Sequence, residues 1–182
     1  MAVLVRLAQA ADAAAIASVY RPYVEASRIS FEETPPDHAE MAWRIRGERP
    51  GFYPWFVAEE DGTLLGFASS SPFRTRPAYR WTVETGIYLA AQAHGRGVGT
   101  ALLAKLVEML TRQGYVAAIA AITLPNEPSV RLHEKLGFFH TGTYRQVGYK
   151  LGEWLDVGLW ERELAARTSA PQEPQPFPSS RP

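Results

Sequence analysis

Cysteine is absent from the 182 residues, which excludes a disulfide framework, a thiolate nucleophile and a cysteine-ligated metal. Net charge is absent as well, 19 Lys and Arg balancing 19 Asp and Glu, so no overall field draws nucleic acid or an anionic membrane to the chain. No segment reaches the roughly 18 uninterrupted apolar residues of a membrane helix. The opening stretch Met1–Leu7 lacks the basic start, apolar run and cleavage site of a signal peptide. His38, His94, His133 and His140 stand without ligand spacing, so no metal site is expected. These exclusions leave a soluble cytoplasmic protein, long enough to bury one core. Its chemistry must rest on a group other than a thiol.

Hydrophobic period supplies the element order. A strand is expected over Val3–Leu7, then a helix from Asp12 whose Ile16, Val19, Tyr20, Tyr23 and Val24 recur at helical spacing, with a break or kink at Pro22. Ile29–Pro36 reads as a loop, followed by a helix over Ala39–Arg46 capped by Asp37. Phe52–Glu59 and Leu64–Pro72 flank Asp61-Gly62, a hairpin dipeptide, and read as antiparallel strands. Arg74–Arg80 is a basic loop. After a strand around Glu84, Val98 to Leu110 carries one apolar stripe of a helix that ends near Gly114. Tyr115–Thr123 is almost wholly apolar, as a strand buried on both faces would be, and the strand-helix-strand order suggests that it runs parallel to the Glu84 strand. Asn126–Gly137 is a short helix with Pro128 in its first turn, and Phe138–Tyr144 and Trp154–Glu163 are the last strands. One domain over 1–166 is therefore expected, with a disordered tail over 167–182, where proline, serine and glutamine dominate.

The segment from Glu84 to Thr100 carries the chemistry. Thr82, Glu84, Gly86 and Tyr88 alternate with Val83, Thr85, Ile87 and Leu89, which puts Glu84 and Tyr88 on one face of a strand. Gly95, Gly97 and Gly99 then remove side chains where the chain turns into the next helix, so successive N–H groups can face an anion. No Gly-Lys-Ser/Thr follows, which argues against a nucleotide-hydrolysing phosphate loop. The turn lies mid-chain after antiparallel strands, which argues against a dinucleotide fold. Glu84, on a strand of apolar neighbours, is a candidate proton acceptor, because burial raises a carboxylate's pKa and a protonated amine must lose a proton before it can act as a nucleophile. Ser129 and His133, four apart, project from one face of the short helix, and Asn126 is placed to cap it. Arg74, Arg76, Tyr79 and Arg80 form a cluster whose guanidinium forks suit carboxylate, phosphinate or sulfone oxygens.

The element order, and His94-Gly-Arg-Gly-Val-Gly99, resemble the GNAT superfamily of acyl-CoA N-acyltransferases, with His94 where that signature usually has Gln or Arg. Over residues 3 to 164, Thr82–Leu89, Leu124–Phe138 and Gly148–Trp160 are similar to its branch of phosphinothricin and methionine sulfoximine/sulfone N-acetyltransferases. The resemblance implies an α/β fold with a single mixed, mostly antiparallel twisted sheet flanked by helices. It also implies acetyl-CoA as co-substrate and a homodimer. It assigns the cofactor to Ile87, Tyr88, Leu89, Gly95, Arg96, Gly97, Val98, Gly99, Thr100, Asn126 and Ser129. Glu84 is the implied general base, and His133 an acid or a partner in deprotonation. Phe31, Arg74, Thr75, Arg76, Tyr79, Glu84, Thr85 and Gly86 are the implied contacts of a small amine acceptor. A protein N-terminus or a polyamine is the alternative acceptor, although a polyamine would call for an acidic lining. A non-catalytic CoA-binding module is the remaining alternative, which retention of Glu84 and His133 argues against.

Overall fold

The computed structural model describes residues 3–177. Seven strands form one sheet in the order β1-β2-β3-β4-β5-β7-β6: β1 Leu4–Leu7, β2 Trp55–Glu60, β3 Thr63–Pro72, β4 Thr82–Leu89, β5 Ala117–Leu124, β6 Phe139–Lys150 and β7 Glu153–Glu163. The helices are α1 Ala13–Glu25, α2 His38–Arg46, α3 Val98–Arg112 and α4 Glu127–Lys135. The β4–β5 pair is parallel, as a connection through a full helix allows, and every other pair is antiparallel.

Local chemistry explains most boundaries. Asp61 and Gly62, at φ 51° and 75°, make the tight turn between β2 and β3. Asp37 Oδ1 accepts from the Glu40 N–H at 2.8 Å and starts α2. Pro22 does not break α1, which continues to Glu25. It lies close enough to the end that the helix loses one internal bond and no more. The β6 strand extends six residues beyond Tyr144, the end expected from alternation; two register irregularities, at His140/Gly142 and Tyr144/Gly148, break the period-two pattern there.

Two apolar cores occupy the two faces of the sheet. One packs α3 (Leu102, Leu103, Leu106, Leu110) against Phe56, Val83, Ala118 and Ile122. The other packs α1 and α2 (Ile16, Tyr20, Val24, Met41) against Val57 and Phe67. Glu84, Gly86 and Tyr88 face the second core, where the Tyr88 ring meets those of Tyr20 and Tyr23 at 4.6 and 5.1 Å between centroids.

The proline-rich segment after Arg167 forms no helix or strand, yet it is tied to the body of the protein. Trp81 Nε1 donates to Gln172 O at 2.8 Å, Arg80 pairs with Glu173 at 2.7 Å, and the Gln175 N–H donates to Gln113 O at 2.7 Å. Residues 178–182 of the expected tail lie outside the described residues.

Candidate active site

Glu84 occupies the point where the sheet opens. The parallel ladder between β4 and β5 comprises Thr82↔Ala117, Val83↔Ala118 and Glu84↔Ile119, and ends there. Beyond it β4 stays bonded to β3 as far as Leu89↔Gly66, while β5 bonds to β7. The two strands have parted, leaving the β5-facing main chain of Thr85–Leu89 without a strand partner. The Glu84 carboxylate is half-buried and has no hydrogen-bond partner among the described residues. Burial raises its pKa, and the nearby Arg74 guanidinium opposes the rise.

The gap between the strands continues into a cleft of about 770 Å³. The cleft runs along Thr85–Leu89 to the glycine turn, with Gly95, Gly97, Gly99 and Thr100 at that end and Asn126, Ser129 and His133 of α4 on the opposite wall. Gly95 and Gly97 take φ of 74° and 78°, and a Cβ at either would meet nothing within 4 Å. Glycine is needed here for backbone conformation. The first internal bond of α3 is Ala101 N to Gly97 O, so the preceding N–H groups of the helix start are free to bind an anion.

The α4 wall fixes the state of His133. Asn126 Oδ1 accepts from the Ser129 N–H at 3.3 Å, capping the helix. His133, 2% exposed, lies 2.8 Å through Nδ1 from Ser129 O. A carbonyl only accepts, so Nδ1 carries the proton and Nε2 holds a free lone pair. Nε2 is buried and has no hydrogen-bond partner among the described residues, and burial lowers the imidazole's pKa. This environment favours the neutral imidazole.

Several candidate residues are positioned differently from the rest. Thr85 alternates away from Glu84, and its hydroxyl donates to Ile119 O at 3.2 Å. Val98 is in the α3 core, and Arg96 pairs with Glu60 at 2.9 Å, so either would meet an anion through main chain alone. Arg74 stacks over Phe73 at 4.4 Å, and Tyr79 packs edge-on against the same ring. Arg80, held by Glu173 and stacked at 3.8 Å on Trp81, is turned to the C-terminal segment. Thr75 and Arg76 are exposed in the same loop. Phe31, 41% exposed, lies over Gly148 of β6.

The cleft also contains residues that sequence reasoning missed. Tyr23 of α1 donates to Leu89 O at 2.6 Å and lies 3.3 Å from His94 Nε2. Its apolar helical context reads as core, and no local signal marks it. Arg131 and Lys135, four apart on α4, line the wall as well, and this spacing of two cations was visible in the sequence. Among the described residues no group of three or more His, Asp or Glu is arranged to hold a metal, and no helix is long and apolar enough to cross a membrane.

A mixed sheet parting beside a carboxylate, with a glycine-lined helix start along the gap, defines a class of protein. The pattern of the acetyltransferase (GNAT) family matches residues 16–138, and the chain belongs to that family. It is 40% identical over 163 residues to the phosphinothricin N-acetyltransferase of Streptomyces viridochromogenes, covering 88% of this chain and 87% of that one. It is 35% identical over 161 residues to the L-methionine sulfoximine/L-methionine sulfone acetyltransferase of Salmonella typhimurium, covering 88% and 94%. Among solved structures, the phosphinothricin acetyltransferase from Sinorhizobium meliloti in complex with AcCoA superposes with a TM-score of 0.89 at 40% identity, covering 95% of each chain.

Proposed function

We propose that this protein transfers an acetyl group from acetyl-CoA to the α-amino group of a small amino acid or analogue, of the phosphinothricin or methionine sulfoximine type, by direct attack in a ternary complex. The observation that carries this reading is the position of Glu84, the last residue before β4 and β5 part and the neighbour in sequence of Thr85, where the lining of the cleft that reaches the glycine turn begins. The donor set fits the co-substrate: free helix-start N–H groups at Gly97–Thr100 suit the pyrophosphate, and strand main chain at Ile87, which has no strand partner on the β5 side, suits a pantetheine amide, while Leu89 main chain is held by Tyr23. Acetyl-CoA would supply a thioester whose acyl carbon forms the new C–N bond as its C–S bond breaks, CoA leaving as a thiolate that is neutralised by the second proton the attacking nitrogen gives up.

The protein's own groups do the rest. Glu84, half-buried and unpartnered, takes the proton that the ammonium must lose. The Arg74 guanidinium, close enough to shift Glu84, lies within reach of an acceptor's anionic group and holds the amine near that carboxylate. His133, with Nδ1–H fixed on Ser129 O, offers Nε2 as a second proton acceptor rather than as an acid. No cysteine exists to carry an acyl-enzyme, which favours attack without a covalent relay.

The protein acts in the cytoplasm as a homodimer. Support for the dimer comes from the edge strand β6 and its hairpin, which expose Tyr144, Val147, Tyr149, Leu151 and Trp154, the last at 62%. An apolar edge of this kind is ordinarily covered. The testing experiment measures thiol release from acetyl-CoA with phosphinothricin, methionine sulfoximine, methionine sulfone, ordinary amino acids, a peptide amine and a polyamine. Turnover confined to the last two would overturn the acceptor class.

A further inference from the structure

The segment between α1 and α2 has no regular structure over residues 26–33, yet it is fastened along much of its length. Ser27 Oγ donates to Tyr23 O at 2.9 Å. Thr123 Oγ1 donates to Ile29 O at 3.2 Å. Ser30 Oγ lies 2.6 Å from Tyr20 Oη, and Glu32 receives Tyr20 Oη at 2.9 Å and both terminal nitrogens of Arg44 at 2.7 and 3.1 Å. A loop ordered to this degree has given up its conformational freedom on folding. Its shape therefore has a use.

The strongest tie comes from β6. Lys150 is 7% exposed, and its Nζ donates to Val24 O at 2.7 Å and to Ser30 O at 2.6 Å. Burying an ammonium costs several kcal/mol unless it is paired or well hydrogen-bonded, and here two of its three protons are spent on joining the end of α1 to the loop. Two residues earlier, Gly148 supports Phe31: a Cβ there would lie 2.5 Å from Phe31 Cζ and closer still to Cε2. The ring fits against β6 because residue 148 has no side chain.

Strand register shows which side of the sheet this assembly covers. Glu84 pairs with Ile119, Thr123 with Val157, Leu155 with Gly148, and Glu153 with Lys150. Paired residues share a face, and so do residues two apart, which puts Thr123, Gly148 and Lys150 on the face that presents Glu84. Ile29 lines the cleft itself. The loop is thus a wall on the carboxylate side, away from the α3 face.

From this geometry we infer that Gly148 and Lys150 are positioning residues for acceptor specificity. Lys150 clamps the 26–33 loop to β6, and the bare Cα of Gly148 gives the Phe31 ring its seat against the same strand, so that together they set the course of the loop that brings Ile29 to the cleft. The inference deepens the acetyl-transfer reading and rests on it for the identity of the acceptor.

Three variants test it: Gly148→Ala, Phe31→Ala and their combination, with Lys150→Met as an independent probe of the clamp. Gly148→Ala is expected to raise the acceptor KM about tenfold, the scale of a disturbed apolar pocket, while the acetyl-CoA KM stays within about twofold. In the Phe31→Ala background, Gly148→Ala is expected to change the acceptor KM by less than about twofold, because the ring it displaces is gone. Additive effects of the two changes, or an acetyl-CoA KM that rises in step, would overturn the proposal. Lys150→Met is expected to speed amide exchange over residues 26–33 with little change in β5; unchanged exchange there would remove the clamp. Absence of wild-type turnover on amino acids would overturn the acceptor class and not the clamp, which the exchange rates decide alone.

Discussion

Glu84 faces Ile119 in the last pair of the β4–β5 ladder. One residue earlier or later, the alternation of the strand would turn the carboxylate to the opposite face, where Val83 and Thr85 are buried. This position lets one side chain stand at the end of a groove made from main chain.

Replacement of Glu84 by Gln keeps shape and removes the base. Turnover is expected to fall by about two to four orders of magnitude, with acetyl-CoA affinity unchanged in a direct binding titration. Stability is expected to move the other way. The folded-state pKa is raised, so the charged carboxylate penalises the native state: its contribution is most favourable below the unfolded value of about 4.3 and is lost as pH rises through the folded value. Glu84→Gln should therefore raise Tm at neutral pH and not near pH 4. Equal Tm at both pH values would show that the carboxylate carries no such penalty.

Arg74 and Arg80 sit in one loop and are expected to behave differently. Arg74 holds the Glu84 pKa down against burial, so Arg74→Ala should move the acid limb of the kcat/KM profile to higher pH. Arg80 is committed to Glu173 and Trp81, and Arg80→Ala should leave that limb in place. Identical profiles for the two variants would remove the distinction.

His133 gives a pH dependence of opposite sign. Its folded pKa is lowered by burial, so the unfolded chain binds the proton more readily. The stability it contributes is present above the unfolded value of about 6.5 and is lost as pH falls towards the folded value. Denaturation midpoints of the wild type should drop over that interval more steeply than those of His133→Gln. Parallel curves would mean that the imidazole titrates alike in both states.

The β6–β7 hairpin offers a test of assembly. Trp154→Glu combined with Tyr149→Glu puts charge on the exposed edge at side chains that leave the cores untouched. Sedimentation of the wild type is expected to give a dimer and that of the double variant a monomer. A wild-type monomer at working concentration would end the dimer proposal.

Much of the fold was legible because its signals are local. Asp61-Gly62 specified a hairpin, Asp37 and Asn126 specified helix starts, and the apolar run before Thr123 specified a buried strand parallel to β4. The extent of β6 was not legible, because its irregularities interrupt the alternation that marks a strand. Nor was continuity through Pro22, where packing of α1 outweighs one missing bond.

The candidate site divides in the same way. The sequence by itself determined which groups are available: no thiol, a glycine turn before a helix, and a carboxylate on the strand leading to it. Those follow from residue type and spacing, which are properties of short segments. Only the tertiary structure decided that β4 and β5 part after Glu84, that His133 keeps its proton on Nδ1, and that Tyr23 and the Lys150-clamped loop wall the cleft. Each of these depends on a hydrogen-bond partner or a register set by a different part of the chain, and no local pattern encodes what a distant segment will bring.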